Sequence, residues 1–232
     1  MKLAIMQPYF MPYLGYFQLI SAVDKFVIYD DVNYINKGWI NRNNILVNEK
    51  ATLVSLPLQD VSQNKLIKDI ALVQDSKWKS KFIRTIELSY KKAPYFDQVF
   101  SIIEIIIQSK LTHINELALL SIISVSNYLQ INTTFVQTSS VYANEQLKAQ
   151  HRILNICKQE KASHYINPIG GLEIYSRKLF EEAEIKINFL KTTAHSYQQF
   201  GNTFVPNLSI MDVLMFNSKD EINQLLSLYE LI

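Results

Sequence analysis

Apolar and polar positions change period several times along this chain. Residues 2–6 (KLAIM) are a short apolar run suited to a buried strand, and KFVIYDDV, from Lys25, is a second that ends in two acids. Between them Tyr13, Phe17, Ile20 and Val23 recur every three or four residues, which places them on one helix face. The pattern predicts a β-turn-α-β unit. ATLVSLPL (51–58) predicts a further strand, with Pro57 at its end or on an edge.

The period then becomes helical. Trp78, Phe82, Ile86 and Tyr90 are spaced by four, with Lys77, Lys81, Arg84 and Lys91 as a second stripe. APYFDQVFSIIEIIIQSKL and INELALLSIISVSNYL predict two more helices, the second apolar on most sides and therefore buried. Residues 76–129 thus read as a helical insertion. Alternation resumes with TTFVQTSSV (strand), EQLKAQHRILNICKQE (helix), HYINPI (strand), LEIYSRKLFEEAE (helix) and IKINFL (strand). Strands and helices in this order predict a parallel sheet with right-handed crossovers. NSKDEINQLLSLYELI opens with Ser218 and Glu221 at capping-box spacing and reads as an amphipathic helix. The expected fold is α/β: a Rossmann-like, mainly parallel sheet flanked by helices, in one domain over residues 1–232.

Composition narrows the partners. The 232 residues are 48% apolar and 19% charged, enough to bury a core without disulfides. A net charge of +2 does not suit wholesale binding of nucleic acid or anionic membrane, and the basic stripe on the 76–91 helix reads as a solvated face. No run approaches the ~20 apolar residues of a membrane span, and the longest, VFSIIEIIIQ, is broken by Glu104. The start carries one lysine and a short apolar run, unlike a signal peptide. Cys157, the single cysteine, excludes an internal disulfide framework and reads as a packed thiol in a reducing compartment. A cytoplasmic protein with a small-molecule ligand is expected; the apolar helices leave a homodimer open, and no cofactor is specified.

In open parallel sheets ligands sit outside the carboxyl ends of the strands. Three loops at such ends hold much of the punctuation: Pro8–Gly15, then Pro168 with Gly170 and Gly171, then the stretch with His195, Gly201 and Pro206. They are read as the rim of one pocket.

The first loop hands a strand to a helix, where free N–H groups and the helix dipole attract phosphate or carboxylate. Gly15 would admit a ligand close to the backbone, and Pro12 would fix the helix start. PYLGY resembles, in position and spacing, the His-x-Gly-His turn of nucleotidyltransferases and class I aminoacyl-tRNA synthetases. Tyr13 and Tyr16 stand where that pattern has histidines. A tyrosine hydroxyl donates a hydrogen bond but carries no positive charge at neutral pH, so nucleotide binding survives the change better than adenylyl transfer does. Neither a dinucleotide fingerprint nor a P-loop motif is present.

YDDVNYINKGWINRNNI (29–45) carries the most chemistry. Asp30 and Asp31 end a buried strand, where adjacent carboxylates need partners. One reading makes them bridge partners of Lys37 and Arg42 in an asparagine-rich turn. The other makes one of them a general base or hydroxyl clamp, with Lys37 and Arg42 clamping phosphate or carboxylate. Asn41 and Asn43 supply donors and acceptors together, which suits sugars, and Trp39 offers a stacking face. No further ligands accompany the two acids, so no metal site is assigned. His195, alone among four histidines in a polar, aromatic loop, is a candidate acid or base.

QPYFMPYLGYFQLI, DDVNYINKGWINRNNI, YKKAPYF, SHYINPIGG and HSYQQFGNTFVPNLSIMDVLMFN, in this order over nearly the whole chain, resemble the motifs of the WbqC-like protein family. One departure is Pro12-Tyr13 where a Pro-Trp pair is expected. The resemblance implies a setting in O-antigen, capsule or other surface-glycan synthesis. It implies site residues at Gln7, Tyr9, Pro12, Gly15, Tyr16, Asp30, Asp31, Lys37, Trp39, Asn41, Arg42, Asn43, Gly171, His195, Tyr197 and Gln198. The resulting expectation is a transferase that uses a nucleotide-linked sugar and moves an acyl or aminoacyl group. In it the first turn and Gly170-Gly171 hold phosphate, Lys37 and Arg42 clamp charge, and Asp30, Asp31 or His195 handles the proton. Glycosyl transfer, or a non-catalytic partner that binds the nucleotide sugar or an enzyme of the pathway, are the alternatives.

Overall fold

A computed structural model describes residues 1–232. In chain order the elements are β1 (Lys2–Met6), α1 (Leu14–Ser21), β2 (Lys25–Ile28), β3 (Arg42–Val47), β4 (Lys50–Ser55), β5 (Leu58–Gln59) and β6 (Ala71–Leu72). Three helices follow, α2 (Ser76–Tyr90), α3 (Phe96–Gln108) and α4 (Ile114–Tyr128), then β7 (Thr134–Val136), α5 (Ala149–Gln159) and β8 (His164–Pro168). The chain closes with α6 (Arg177–Glu182), β9 (Lys186–Thr192), α7 (Ile210–Phe216), α8 (Lys219–Leu226) and β10 (Tyr229–Leu231).

Six strands form one sheet in the order β10-β9-β8-β1-β2-β7, parallel except for β10, which runs antiparallel to β9. Counted along the chain within that sheet, this is the 3-2-1-4-5-6 order of Rossmann folds, and it reverses between β1 and β8. The unbroken apolar character of these strands has a direct cause, since side chains alternate between two buried faces. Ala4, Phe26, Ile28, Ile166 and Leu190 pack into the larger core with α1, α7, α8 and the α2–α4 layer. Leu3, Ile5, Val27, Tyr165, Ile187 and Phe189 pack into the smaller core with α5 and α6.

Three segments depart from the pattern-based expectation. ATLVSLPL is not in the main sheet: β4 pairs antiparallel with β3, Arg42 opposite Ser55, so the asparagine-rich stretch read as loop is half of a hairpin. TTFVQTSSV stays extended only through Val136, because Thr138 and Ser139 turn to donate to the Asp30 carboxylate. The last helix keeps its capping box at Ser218 and Glu221 but stops at Leu226. There the buried Gln18 amide takes the carbonyls of Leu225 (2.8 Å) and Leu228 (3.0 Å), and the chain turns into β10. No helix is long and apolar enough to cross a membrane. Lys77, Lys81 and Arg84 on α2 and Lys91 at its C-terminal cap are all exposed, a solvated face.

Candidate functional site at the sheet switch point

Where the strand order reverses, the chains leaving β1 and β8 diverge and open a crevice. A cavity of about 650 Å³ fills it. Met6 and Gln7 line it from the end of β1, Tyr29 from the end of β2, and Asn167, Pro168, Gly170 and Gly171 from the end of β8. Tyr9 and Tyr13 come from the loop after β1, Trp39 from the loop before β3, Asn43 from β3, Ile153 from α5, Ile169, Ile174 and Tyr175 from the segment after β8, and Asn207 from the loop before α7. The lining therefore holds five aromatic rings and four carboxamides, and no Asp, Glu, His, Lys or Arg.

The opening loop is held by buried polar bonds. Met11 sits at φ 43, a left-handed conformation that costs a non-glycine residue about 1 kcal/mol or more. Its amide donates to Ser121 Oγ (3.1 Å), and its carbonyl accepts from Asn43 Nδ2 (2.7 Å) and Ser209 Oγ (2.6 Å). Asn43 also accepts from its neighbour's amide, so this one residue both ties the loop and lines the cavity.

The two tyrosines of PYLGY part company. Tyr13 lines the cavity, whereas Tyr16 is in the core and donates its hydroxyl to the Gln7 carbonyl at 2.9 Å. Gly15 is outside the lining and closely packed: a Cβ there would lie 2.6 Å from Tyr13 Cε2 and 2.8 Å from Thr192 Oγ1. The start of α1 is not open to phosphate, since Tyr13 bridges Ser209 and the buried Pro12 gives its carbonyl to the Ile210 amide at 2.8 Å. Gly170 and Gly171 do reach the cavity. Gly171 has no room for a side chain, because a Cβ would run into the Asn167 amide and come within 3.1 Å of Tyr175.

Asp30 and Asp31 also lie outside the lining. Asp30 is fully buried and accepts from Thr138 Oγ1 (2.8 Å), the Ser139 amide (3.2 Å) and Asn115 Nδ2 (3.0 Å). Asp31 is paired with Arg152 and accepts from Ser139 Oγ. Both carboxylates anchor the end of β2 to the turn after β7 and to α5; neither lines the cavity.

Arg42 and Lys37 do not bridge these acids. Arg42 Nε donates to the Gly38 carbonyl at 2.8 Å, its Nη2 donates to the Lys37 carbonyl, and its guanidinium lies over the Trp39 ring at 5.6 Å from the centroid. Lys37 is exposed at φ 60. Neither cation has a carboxylate partner, so the loop that presents Trp39 is positive. Asn41 is structural, accepting from Tyr34 and donating to the Leu56 carbonyl.

His195 also lies off the cavity, its Nδ1 3.2 Å from the Thr193 carbonyl and its ring edge-on to Phe204. Tyr197 donates to Asp212 Oδ2 at 2.7 Å, and the exposed Gln198 bonds the Gln199 carbonyl. Asp212, fully buried, also accepts from Tyr90 (2.9 Å) and Gln199 (2.7 Å), and burial raises its pKa against the pull of these donors.

Inside the cavity, burial pushes the Tyr9 hydroxyl up to about 12, with Tyr13 adding. Tyr13, Tyr29 and Tyr175 are raised by burial too, so these hydroxyls are neutral donors at physiological pH. Sequence reasoning missed Tyr29, Asn167, Tyr175 and Asn207. Tyr29 and Asn167 sit at strand carboxyl ends and could have been found on that ground alone. No set of three His, Cys, Asp or Glu side chains converges as a metal site.

Fold and crevice define a Rossmann-like α/β protein with a neutral, aromatic and carboxamide-lined pocket at the switch point. The chain belongs to the WbqC-like protein family, whose model matches residues 7–224. It is similar to a protein of Mycobacterium tuberculosis (strain ATCC 25618 / H37Rv) described as "Uncharacterized protein Rv1507c", 28% identical over 219 residues that cover 93% of each chain. No solved structure matches.

Proposed function

We propose that this protein holds a nucleotide-linked sugar in the switch-point crevice and serves surface-polysaccharide assembly as a transferase. The observation that carries this reading is the lining itself: five aromatic rings and four carboxamides with no charged side chain. Carboxamides and tyrosine hydroxyls offer donors and acceptors to ring hydroxyls, and aromatic faces stack on a sugar or base. The diphosphate then lies toward Lys37 and Arg42, the two cations without carboxylate partners beside Trp39. The surface-glycan setting rests on the family resemblance. About 650 Å³ is within the range that encloses a drug-sized ligand, leaving room for a sugar and a transferred acyl or aminoacyl group.

A second reading, a binding partner that performs no chemistry, is favoured by one observation: Asp30, Asp31 and His195 are all absent from the lining. Titration calorimetry of the purified protein with UDP-glucose and other nucleotide sugars tests the binding that both readings share. Saturable binding, lost in Trp39→Ala and Asn167→Ala, is expected; no heat and no thermal stabilisation with any of them would sink both. Mass spectrometry of an acceptor glycan incubated with the purified protein and a nucleotide-sugar donor separates transfer from binding, because only transfer by the protein itself adds a mass.

A further inference from the structure

The crevice has a chemical bias that the proposed function does not use. The segment after β8 brings aliphatic side chains to it. Ile169 and Ile174 line the cavity together with Ile153, and Leu172, between the first two in sequence, is exposed outside the lining. Ile174 is 62% exposed, Leu172 43% and Ile169 39%, a concentration of exposed aliphatic side chains within six residues at the mouth of a cavity. Clusters of this kind mark sites that cover apolar surface of a ligand or partner.

The electrostatics weigh against one of the two groups under consideration. An aminoacyl group carries an ammonium at neutral pH, and it needs a carboxylate or an open aromatic face. No carboxylate lines the cavity. Arg42 lies 5.6 Å from the Trp39 centroid and Arg152 lies 5.1 Å from the Tyr29 centroid, so of the five rings only Tyr9, Tyr13 and Tyr175 are without a cation. Asp31 neutralises Arg152, but no carboxylate pairs with Arg42, so the field at the mouth is positive. A cationic substituent is repelled there, whereas a neutral chain meets isoleucine.

Resting on the proposed sugar site, we propose that the ligand class is a sugar bearing a neutral aliphatic acyl substituent, whose chain lies along Ile169 and Ile174. An aminoacyl sugar is disfavoured. The chain is attached to the sugar directly rather than through a phosphate, because the charges that would receive a phosphate are at Lys37 and Arg42 and not among the isoleucines.

Calorimetry with small glucosides tests this. Hexyl glucoside is expected to bind at least tenfold more tightly than methyl glucoside, and aminohexyl glucoside no more tightly than methyl glucoside. Ile174→Ser, at an exposed position, should shrink the hexyl-to-methyl ratio several-fold. Equal affinities for hexyl and methyl glucoside, with UDP-glucose still bound, would overturn this inference and leave the sugar site standing. Aminohexyl glucoside binding best would overturn it in favour of an aminoacyl ligand. Geranyl phosphate displacing hexyl glucoside at lower concentration than hexyl glucoside itself would overturn it in favour of a lipid carrier. Failure of every glucoside and of UDP-glucose would remove the sugar site, and this inference with it.

Discussion

Arg152 and Asp31 form an ion pair across 121 residues of sequence, Nη2 to Oδ2 at 2.5 Å, with 5% and 0% of their side chains exposed. The same guanidinium gives Nε to Asn144 (2.9 Å) and Nη1 to the Asp31 carbonyl (3.2 Å), and lies over Tyr29. One arginine thus links α5, the turn after β7 and the cavity wall. Removing either partner strands the other charge in a dry interior, which costs about 3–5 kcal/mol. Arg152→Ala and Asp31→Ala should each lower stability by that order in urea denaturation, and Arg152→Met with Asp31→Leu should recover part of it. Wild-type stability in either single variant would remove the anchoring role.

Much of the fold was legible because strand and helix periods are local properties. Lys2–Met6 and Lys25–Ile28 carry their burial in their own composition, and the switch-point rim follows from counting strands. The roles of Asp30 and Asp31 were not legible. Paired acids at a strand end look alike whether they face a ligand or a buried arginine far along the chain, and only tertiary contact distinguishes the two. Asn207 was missed for a related reason, since a single carboxamide in a loop has no periodicity or spacing to betray it.

Asn43 bonds the carbonyl of left-handed Met11, and both residues are buried. Asn43→Ala leaves that carbonyl with Ser209 alone and should cost about 1–3 kcal/mol. Because the residue also lines the cavity, affinity for UDP-glucose should fall more than it does in Asn41→Ala, a variant outside the lining. Equal losses in the two variants would show that the effect is only unfolding.

Glu160 supplies a pH-dependent term. Burial pushes its carboxyl up, but hydrogen bonds from Lys25 (2.5 Å) and Tyr142 (2.6 Å) outweigh this and lower its pKa. A carboxylate held below its unfolded value stabilises the fold above the unfolded pKa, near 4.3, and loses that contribution as pH falls through the folded one. The stability gap between wild type and Glu160→Gln should therefore be full at pH 6–7 and close as the pH drops below about 4. A gap that widened toward acid would reverse the sign and discard the assignment.

Ligand affinity should behave differently with pH. Tyrosines are the titratable groups in the cavity lining, and burial holds the Tyr9 hydroxyl near 12 and raises Tyr13, Tyr29 and Tyr175. Affinity for an uncharged probe such as methyl glucoside should be flat between about pH 6 and 9. A bell-shaped profile in that window would place an unrecognised acid or base, His195 first, in contact with the ligand.

Gly170 and Gly171 are adjacent in sequence, yet they should respond in opposite ways to the same substitution. A Cβ on Gly170 meets nothing within 4 Å, and its backbone is outside the left-handed region, so Gly170→Ala should leave stability unchanged or slightly raised through the unfolded chain. A Cβ on Gly171 collides with the Asn167 amide and presses on Tyr175, two groups of the lining. The cheapest relief is to swing the Asn167 side chain, which redirects a donor and an acceptor that line the cavity. Gly171→Ala should thus weaken UDP-glucose binding by about tenfold or more, the value of one well-placed hydrogen bond, while its melting temperature falls only modestly. Calorimetry and thermal denaturation on the two variants together decide the matter. If Gly171→Ala binds as wild type does, Asn167 does not hold the ligand and the β8 side of the crevice loses its role.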